Sequence, residues 1–418
     1  MNTRRRRPDP ASGDARRRPN RTSGGEIGLD EPAADGSEAP PLDTLDSLRL
    51  IATGIVTLHD RLQKQHSITL PYPVSLQRGL DQLAALCILN GSRPMLGVVE
   101  LLELCHRPLG DWPVPLPFDG VTLGQGDRLL DGPFPTQACL ALAVIGRNPE
   151  LELKENQIIG SALRVCRADS SPQMYADFRR LLVSFPAATT ADLRRYVREH
   201  RLEALSAEIS EAYELAPPEC FADGANGRRV VACRGCGNLL VRTRGTELRC
   251  EDERCRETGR SGQGREFDVR TDQPLRLIRP LRIYVHAPGR AELRLFDALT
   301  RLSGLEVELW PSFDAYDLRL VFPGGDVWAV DVKDYWDPID LANRITDFSR
   351  VPPWSRAYFV FPSEHAQRRS DYLTAFVNAC AFLRANPDVE AAMERTFLRS
   401  VRSRLSHLRK AAPAERRS

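Results

Sequence analysis

Lysine is nearly missing from this chain. Of 58 basic residues in 418, only Lys64, Lys154, Lys333 and Lys410 are lysines. The arginine excess points to GC-rich coding as much as to function, and it makes any patterned lysine informative. An uninterrupted apolar run of membrane-spanning length is also lacking, which excludes a transmembrane helix. The opening residues MNTRRRRPDP hold no apolar signal core, so secretion is not expected. Net charge is only +2, so no global field selects acidic or basic partners. The ten cysteines form no even framework: five fall between Cys220 and Cys255, and Cys87, Cys139, Cys166 and Cys380 sit in apolar runs. Cys105 stands at a helix end. That pattern argues against a disulfide scaffold and for a reducing cytoplasm with one metal site. The length allows about two to four domains with real cores.

What is present divides the chain. Residues 1–40 are Arg, Pro, Gly, Asp and Ala with almost no large apolar side chain, and they read as a disordered arm. Arg4–Arg7 and Arg16–Arg18 could contact nucleic-acid phosphates. The acids from Asp30 to Glu38 nearly cancel them, which favours a solvated tail. From 41 to 216 the period is helical. Leu45, Leu48, Ile51, Ile55, Leu58 and Leu62 recur at three-four spacing, a stripe that faces a core. Similar patterns follow over 74–89, 94–105, 137–145, 158–166, 174–185 and 191–213, with Thr190 as N-cap of the last. This all-α domain shows no catalytic constellation, so its expected role is to dock a partner. His59, His66 and His106 read as surface histidines.

A second pattern occupies 228–260. Cys233-Arg-Gly-Cys236-Gly237 and Cys250-Glu-Asp-Glu-Arg-Cys255 are two knuckles, with thirteen residues between Cys236 and Cys250 and a short β run among them. Tetrahedral Zn²⁺ takes four thiolates from two such turns, so Cys233, Cys236, Cys250 and Cys255 are the predicted ligands of a zinc ribbon. The second knuckle is two residues longer than usual, and Cys220 is an alternative ligand. Four sulfurs leave no open position, which makes the zinc structural. The segment carries nine arginines against five acids, which suits DNA contact or a plain folding staple.

The remainder, 274–390, is organised around 305–333. Leu305–Trp310, Leu318–Phe322 and Val327–Val332 read as strands, and Pro323-Gly324-Gly325-Asp326 as a tight hairpin turn. The hairpin brings Asp317 near Asp331 and Lys333, and alternation points the last two the same way. Paired carboxylates offer hard oxygen ligands for Mg²⁺ or Mn²⁺, and a lysine beside the metal can orient or deprotonate water and offset phosphorane charge. An acid-x-Lys triplet alone is weak evidence, and Glu152-Leu-Lys154 serves as a control with no strand context. Upstream, 261–271 is polar and glycine-rich and reads as a loop or linker, 275–285 alternates as a strand would, and Ala287-Pro288-Gly289 turns into a helix carrying Glu292 in its first turn. Downstream, Asp337 caps a helix with Pro338 at N1. A parallel strand over 357–362, a core helix over 367–383 and a basic helical tail, 391–418, follow.

The order Asp317, hairpin, Asp331-Val332-Lys333 resembles the PD-(D/E)xK superfamily of restriction endonucleases. The resemblance implies an αβββαβ core, a catalytic Mg²⁺ held by Asp317, Asp331 and the Val332 carbonyl, and Lys333 at the attacking water. It also suggests Glu292 as an accessory acid, although a helix N-terminus favours glutamate for dipole reasons as well. Helical region, cysteine ribbon and nuclease fold on one multidomain chain resemble the restriction endonuclease-like protein associated with the prokaryotic PIWI-RE module. That implies DNA cleavage in defence against invading DNA, with a PIWI-family protein and a helicase as partners. The rival reading is a non-catalytic nucleic-acid-binding adaptor on the same fold. A zinc-ribbon transcription regulator would leave the hairpin unexplained.

Overall fold

The computed structural model describes residues 43–65, 70–95, 97–116, 118, 123–145, 149–223, 228–243, 247–271 and 273–415. The arm expected over 1–40 and His66 lie outside the described residues. The chain begins with helices α1 (Thr44–Gln65), α2 (Val74–Leu89) and α3 (Val98–Cys105). A two-residue hairpin, β1 (Leu130–Asp131) with β2 (Phe134–Pro135), leads to α4 (Gln137–Ile145). The predicted stripe is their core: Leu48, Ile51, Ile55 and Leu58 are buried with Leu76, Leu101 and Leu142. Two glycines set the α1–α2 approach. A Cβ on Gly54 would lie 2.4 Å from the Leu76 Cα, and one on Gly79 2.6 Å from Ile51 Cγ1.

A second helical group follows: α5 (Pro149–Ala168), α6 (Pro172–Ser184), α7 (Thr190–His200) and α8 (Ser206–Ala212). The stretch 191–213 is therefore not one helix. Arg201 takes a left-handed φ of 54° and ends α7, and the N-cap is Thr189, whose side chain forms a capping box with Asp192. The region is also not purely helical. Strands β3 (Ala187–Thr189) and β4 (Tyr213–Leu215) flank β9 (Pro274–Leu277) in a three-stranded antiparallel sheet. His59 is buried rather than on the surface, its ring nitrogen against the Arg279 guanidinium. His106 is exposed, as expected.

In the cysteine-rich segment, β5 (Arg229–Cys233) pairs with β8 (Gln263–Asp268), and β6 (Val241–Arg242) with β7 (Leu248–Arg249). Within 261–271, expected as a loop or linker, Gln263–Asp268 is strand because β5 offers it a partner, and Phe267 opposite Val230 is its one deeply buried side chain. A short helix α9 (Glu253–Glu257) carries Cys255.

The predicted strand over 275–285 is corrected. Only β9 is strand. Beyond it a helical turn, Arg279–Leu281, and a π-helical segment, Arg282–His286, run straight into α10 (Ala287–Thr300). Pro280 suits a first helical turn. The apolar residues that mimic alternation bury on a helical face instead, with Leu281, Val285 and His286 all covered. Ala287-Pro288-Gly289 is consequently the start of α10 and not a turn before it.

After α10 come β10 (Glu306–Leu309), β11 (Leu318–Val321), β12 (Val327–Val332), α11 (Pro338–Arg344) and β13 (Arg356–Phe361). Strands β10 to β12 pair antiparallel in sequence, and β13 pairs parallel to β12. Asp337 Oδ1 caps α11 by accepting from the amides of Ile339 and Asp340. The stretch 367–383 is broken into α12 (Ser363–Arg368), α13 (Tyr372–Ala379) and α14 (Ala381–Ala385). The stretch from 391, expected as a tail, belongs to the core. It contains most of β14 (Val389–Met393), parallel to β13, and α15 (Glu394–Glu415), which buries Phe397, Val401 and Leu405.

Alternation gives the five-stranded sheet two covered faces. Leu318, Leu320, Trp328, Val330, Tyr358 and Val360 share a core with α5, α6, α10 and α15. Ala329, Ala357, Phe359 and Phe361 pack with α11 and α13 on the other side. The helices α5–α8 therefore contribute to the same core as the sheet, and that continuity positions the site.

Candidate active site and cysteine cluster

The four predicted sulfurs converge. Cys233, Cys236, Cys250 and Cys255 are all buried, and their Sγ atoms lie within 4.8 Å of one another. The Cys233–Cys255 and Cys236–Cys250 separations are 3.6 and 3.4 Å. A tetrahedron with Zn–S bonds of about 2.3 Å needs sulfurs about 3.8 Å apart, so the quartet could hold a zinc ion with small adjustment. Gly235 makes room: a Cβ there would sit 2.5 Å from Cys255 Sγ and 2.6 Å from the Arg260 carbonyl oxygen. Cys220 is outside the quartet. Its sulfur faces the Arg276 guanidinium at 3.8 Å, and burial pushes its thiol up to about 12. Among the described residues the quartet is the group of three or more ligating side chains close enough to share one ion.

The zinc module is fastened to the end of β12. From α9, Arg254 reaches both oxygens of Asp334 at 2.5 Å, and His365 Nε2 meets Asp334 Oδ1 at 2.9 Å. Burial alone would raise the Asp334 carboxyl, but Arg254 and His365 outweigh it and hold that carboxyl far below the usual range. Asp334 immediately follows Lys333, so this clamp fixes where the strand ends.

At that end the structure brings Asp317, Asp331 and Lys333 together. Register pairs Leu318 with Val330, so Asp317, one residue before β11, lies beside the end of β12. The Val332 amide donates to Asp317 Oδ2 at 2.5 Å. Lys333 Nζ lies 2.7 Å from Asp331 Oδ2, as expected for side chains two apart on one strand. The Lys333 amide donates to the Val360 carbonyl, which extends the parallel ladder to the lysine itself. Burial raises the Asp317 carboxyl well above its ordinary range, Glu292 and Asp331 raise it further, and Arg179 and Lys333 oppose them. Burial would lower the Lys333 ammonium, yet Asp331, Asp317 and Glu292 overcome it and hold the proton on.

Glu292 is 3% exposed and points into the same cluster. It lies beyond the first turn of α10, because the helix starts at Ala287, so the dipole explanation for this glutamate falls away. Its oxygens accept from Arg179 at 2.9 and 3.1 Å and from the Trp310 indole N–H at 2.5 Å. Arg179 also pairs with Asp314 and stands 3.9 Å from Asp317 Oδ1, and its guanidinium lies 4.9 Å from the Trp310 ring. Arg179, Trp310 and Asp314 went unread in the sequence. Asp314 had a faint signal, as a second acid three residues before Asp317. Arg179 had none, being one arginine among many on an amphipathic helix.

The chain's regions match two families. Residues 289–409 match the family described as REase associating with pPIWI_RE. Residues 47–189 match the family described as pPIWI_RE three-gene island domain Y. The two matches support an association with the pPIWI_RE module and a REase-like domain over 289–409. No match to a curated protein or to a solved structure accompanies these two. The REase-like domain takes in α10 from Gly289 onward and the whole five-stranded sheet, hence Glu292, Asp317, Asp331 and Lys333. Arg179 and most of the helices before it lie in the domain Y match.

Proposed function

We propose that this protein is a metal-dependent DNA endonuclease of the PD-(D/E)xK kind, hydrolysing phosphodiester bonds as part of a pPIWI_RE-linked defence against invading DNA. One observation carries the reading. Asp317 is tied to the Val332 amide while Asp331 and Lys333 pair on the adjoining strand, so two carboxylates and an ammonium share the end of a hairpin. The donor set fits Mg²⁺ or Mn²⁺: hard carboxylate oxygens, few in number, leaving positions for water and phosphate. Asp317, Asp331 and the Val332 carbonyl are the proposed ligands. Bound there, the cation would polarise the phosphate and acidify a water.

The chain's own residues would do the rest. Asp317 carries a carboxyl that burial and neighbouring acids destabilise as an anion, so a cation beside it is favoured. Lys333 stays an ammonium, which suits it to orient water and offset charge on the phosphorane rather than to remove a proton. Glu292 is the third acid of the group. The zinc-stapled ribbon, with its arginines, is the proposed DNA grip, and the N-terminal helices the proposed contact with a PIWI-family protein and a helicase. Ten free cysteines fit a reducing cytoplasm. No helix among the described residues is long and apolar enough to cross a membrane.

The test is cleavage of supercoiled plasmid by the full chain with and without Mg²⁺ or Mn²⁺, alone and with the neighbouring gene products. Asp331→Ala and Lys333→Ala should each abolish metal-dependent cleavage and keep the fold. Undiminished nicking by both variants refutes the assignment. The second reading, a nucleic-acid-binding adaptor, draws on Arg179 and Lys333, which already neutralise part of the acid cluster. An adaptor would bind DNA, bind no Mn²⁺ and cut nothing.

A further inference from the structure

We infer that Arg179, supplied by the N-terminal helical region, is a positioning residue of the hydrolytic site, so that the region is part of the reaction machinery and not only a docking module. The inference rests on the nuclease reading above. Three observations lead to it.

The first is the density of its contacts. One guanidinium, 15% exposed, meets Glu292, Asp314 and Asp317 and stacks by Trp310. These partners come from α10, from the turn after β10 and from the foot of β11. Arg179 comes from α6, which contributes to the sheet's core but to none of its strands.

The second is the way the backbone is built to make those contacts. Gly289 packs against Val183, where a Cβ would lie 2.5 Å from Val183 Cγ2. This close crossing of α6 and α10 brings Arg179, one turn before Val183, opposite Glu292, about one turn after Gly289. On the other side, Trp310, Ser312, Phe313 and Asp314 take left-handed φ values of 49°, 50°, 63° and 68°. Four non-glycine residues in that region within five positions is a costly turn. What it achieves is the placement of Asp314 and Trp310 against Arg179 and Glu292.

The third is charge. Glu292, Asp314 and Asp317 surround Arg179, and Asp331 pairs with Lys333 on the adjoining strand, so the part-buried site holds four acids and these two cations. Arg179 neutralises the acids on the α10 side and stands 3.9 Å from Asp317 Oδ1, while the Val332 amide ties Asp317 Oδ2 to β12. With all four acids ionised, the negative charge left over equals what one divalent cation supplies. Without Arg179 the acids repel, Glu292 and Asp314 lose the cation that holds them, and the cluster attracts cations in an arrangement no longer aimed at a phosphate.

The experiment compares Arg179→Met and Arg179→Lys with the wild-type full chain, reading Mn²⁺ affinity by titration calorimetry and plasmid cleavage on the same samples. In Arg179→Met the two should move in opposite directions: Mn²⁺ binds about tenfold tighter as a positive charge leaves, while cleavage falls about a hundredfold. Arg179→Lys should return the metal affinity to the wild-type value and recover part of the cleavage. A purely structural arginine would lower both or neither. Wild-type cleavage by Arg179→Met, or an unchanged or weaker Mn²⁺ affinity, overturns the inference and leaves the nuclease reading standing. A wild-type chain that neither binds Mn²⁺ nor cuts DNA overturns the nuclease reading, and the inference with it. If Arg179→Met loses its zinc or its helical signal, Arg179→Gln replaces it with the same expectations.

Discussion

The Val332 amide donates to Asp317 Oδ2 at 2.5 Å, binding a carboxylate at the foot of one strand to the far end of its neighbour. The contact survives if the side chain becomes an amide, because asparagine can still accept that hydrogen bond. Asp317→Asn should therefore keep its fold and melting temperature while losing Mn²⁺ binding and plasmid cleavage. Calorimetric titration beside a thermal melt checks this. An Asp317→Asn protein that binds Mn²⁺ like the wild type removes Asp317 from the ligand set.

Lys333 is held protonated by Asp331, Asp317 and Glu292 against the pull of burial. A residue that works as a cation can be replaced, poorly, by another cation. Lys333→Arg should lose about tenfold in cleavage rate and Lys333→Met about a thousandfold. Single-turnover cleavage distinguishes them. If arginine is as inactive as methionine, the lysine acts through its proton and not its charge.

Zinc should be found at one ion per chain by elemental analysis, and its removal by a chelator should lower the melting temperature. Because Gly235 lies so close to Cys255 Sγ, Gly235→Ala should weaken zinc retention at equal chelator concentration. A chain that purifies without zinc and melts unchanged in chelator would show the thiols to be merely packed together.

The Asp334 clamp predicts a pH effect on stability. Its folded-state carboxyl is depressed, so the unfolded chain binds the proton more readily, and stability rises with pH across that interval. The contribution is complete above the ordinary carboxylate value, near 4, and is lost progressively as pH falls below it. Asp334→Ala should cost about 3–5 kcal/mol at neutral pH, since it leaves Arg254 without its main partner in a part-buried site. It should also flatten the acid side of the stability profile. Denaturant melts between neutrality and strong acid measure both. A variant with the wild-type profile would show the clamp to be inert.

Much of the candidate site was legible because its signals are short-range. Alternation over Val327–Val332, the Gly-Gly turn and the acid-x-Lys spacing fix a hairpin and one face of it without help from the rest of the chain. Asp337-Pro338 marks a helix start for the same reason. The failures also have physical causes. The stretch 275–285 has apolar residues that suit a strand or a helix, and only the surroundings of Arg282 and His286, both buried, select the helix. The stretch 261–271 looks like a loop until β5 supplies hydrogen bonds to Gln263–Asp268 within it. The basic stretch from 391 looks like a tail because its apolar residues are sparse, yet Phe397 and Val401 reach the sheet and Arg404 holds Asp326 in the hairpin turn.

The sequence by itself determined the local geometry: which residues turn, which alternate, which four sulfurs can meet and which strand ends carry Asp317, Asp331 and Lys333. Tertiary structure alone decided that Arg179 reaches Glu292 across 113 residues, and that Glu292 is a buried member of an acid cluster and not a helix-end charge. Spacing rules describe neighbours along the chain. The crossing of α6 over α10 depends on a missing Cβ at Gly289 and on the shape of Val183, and side-chain fit of that kind leaves no periodic trace.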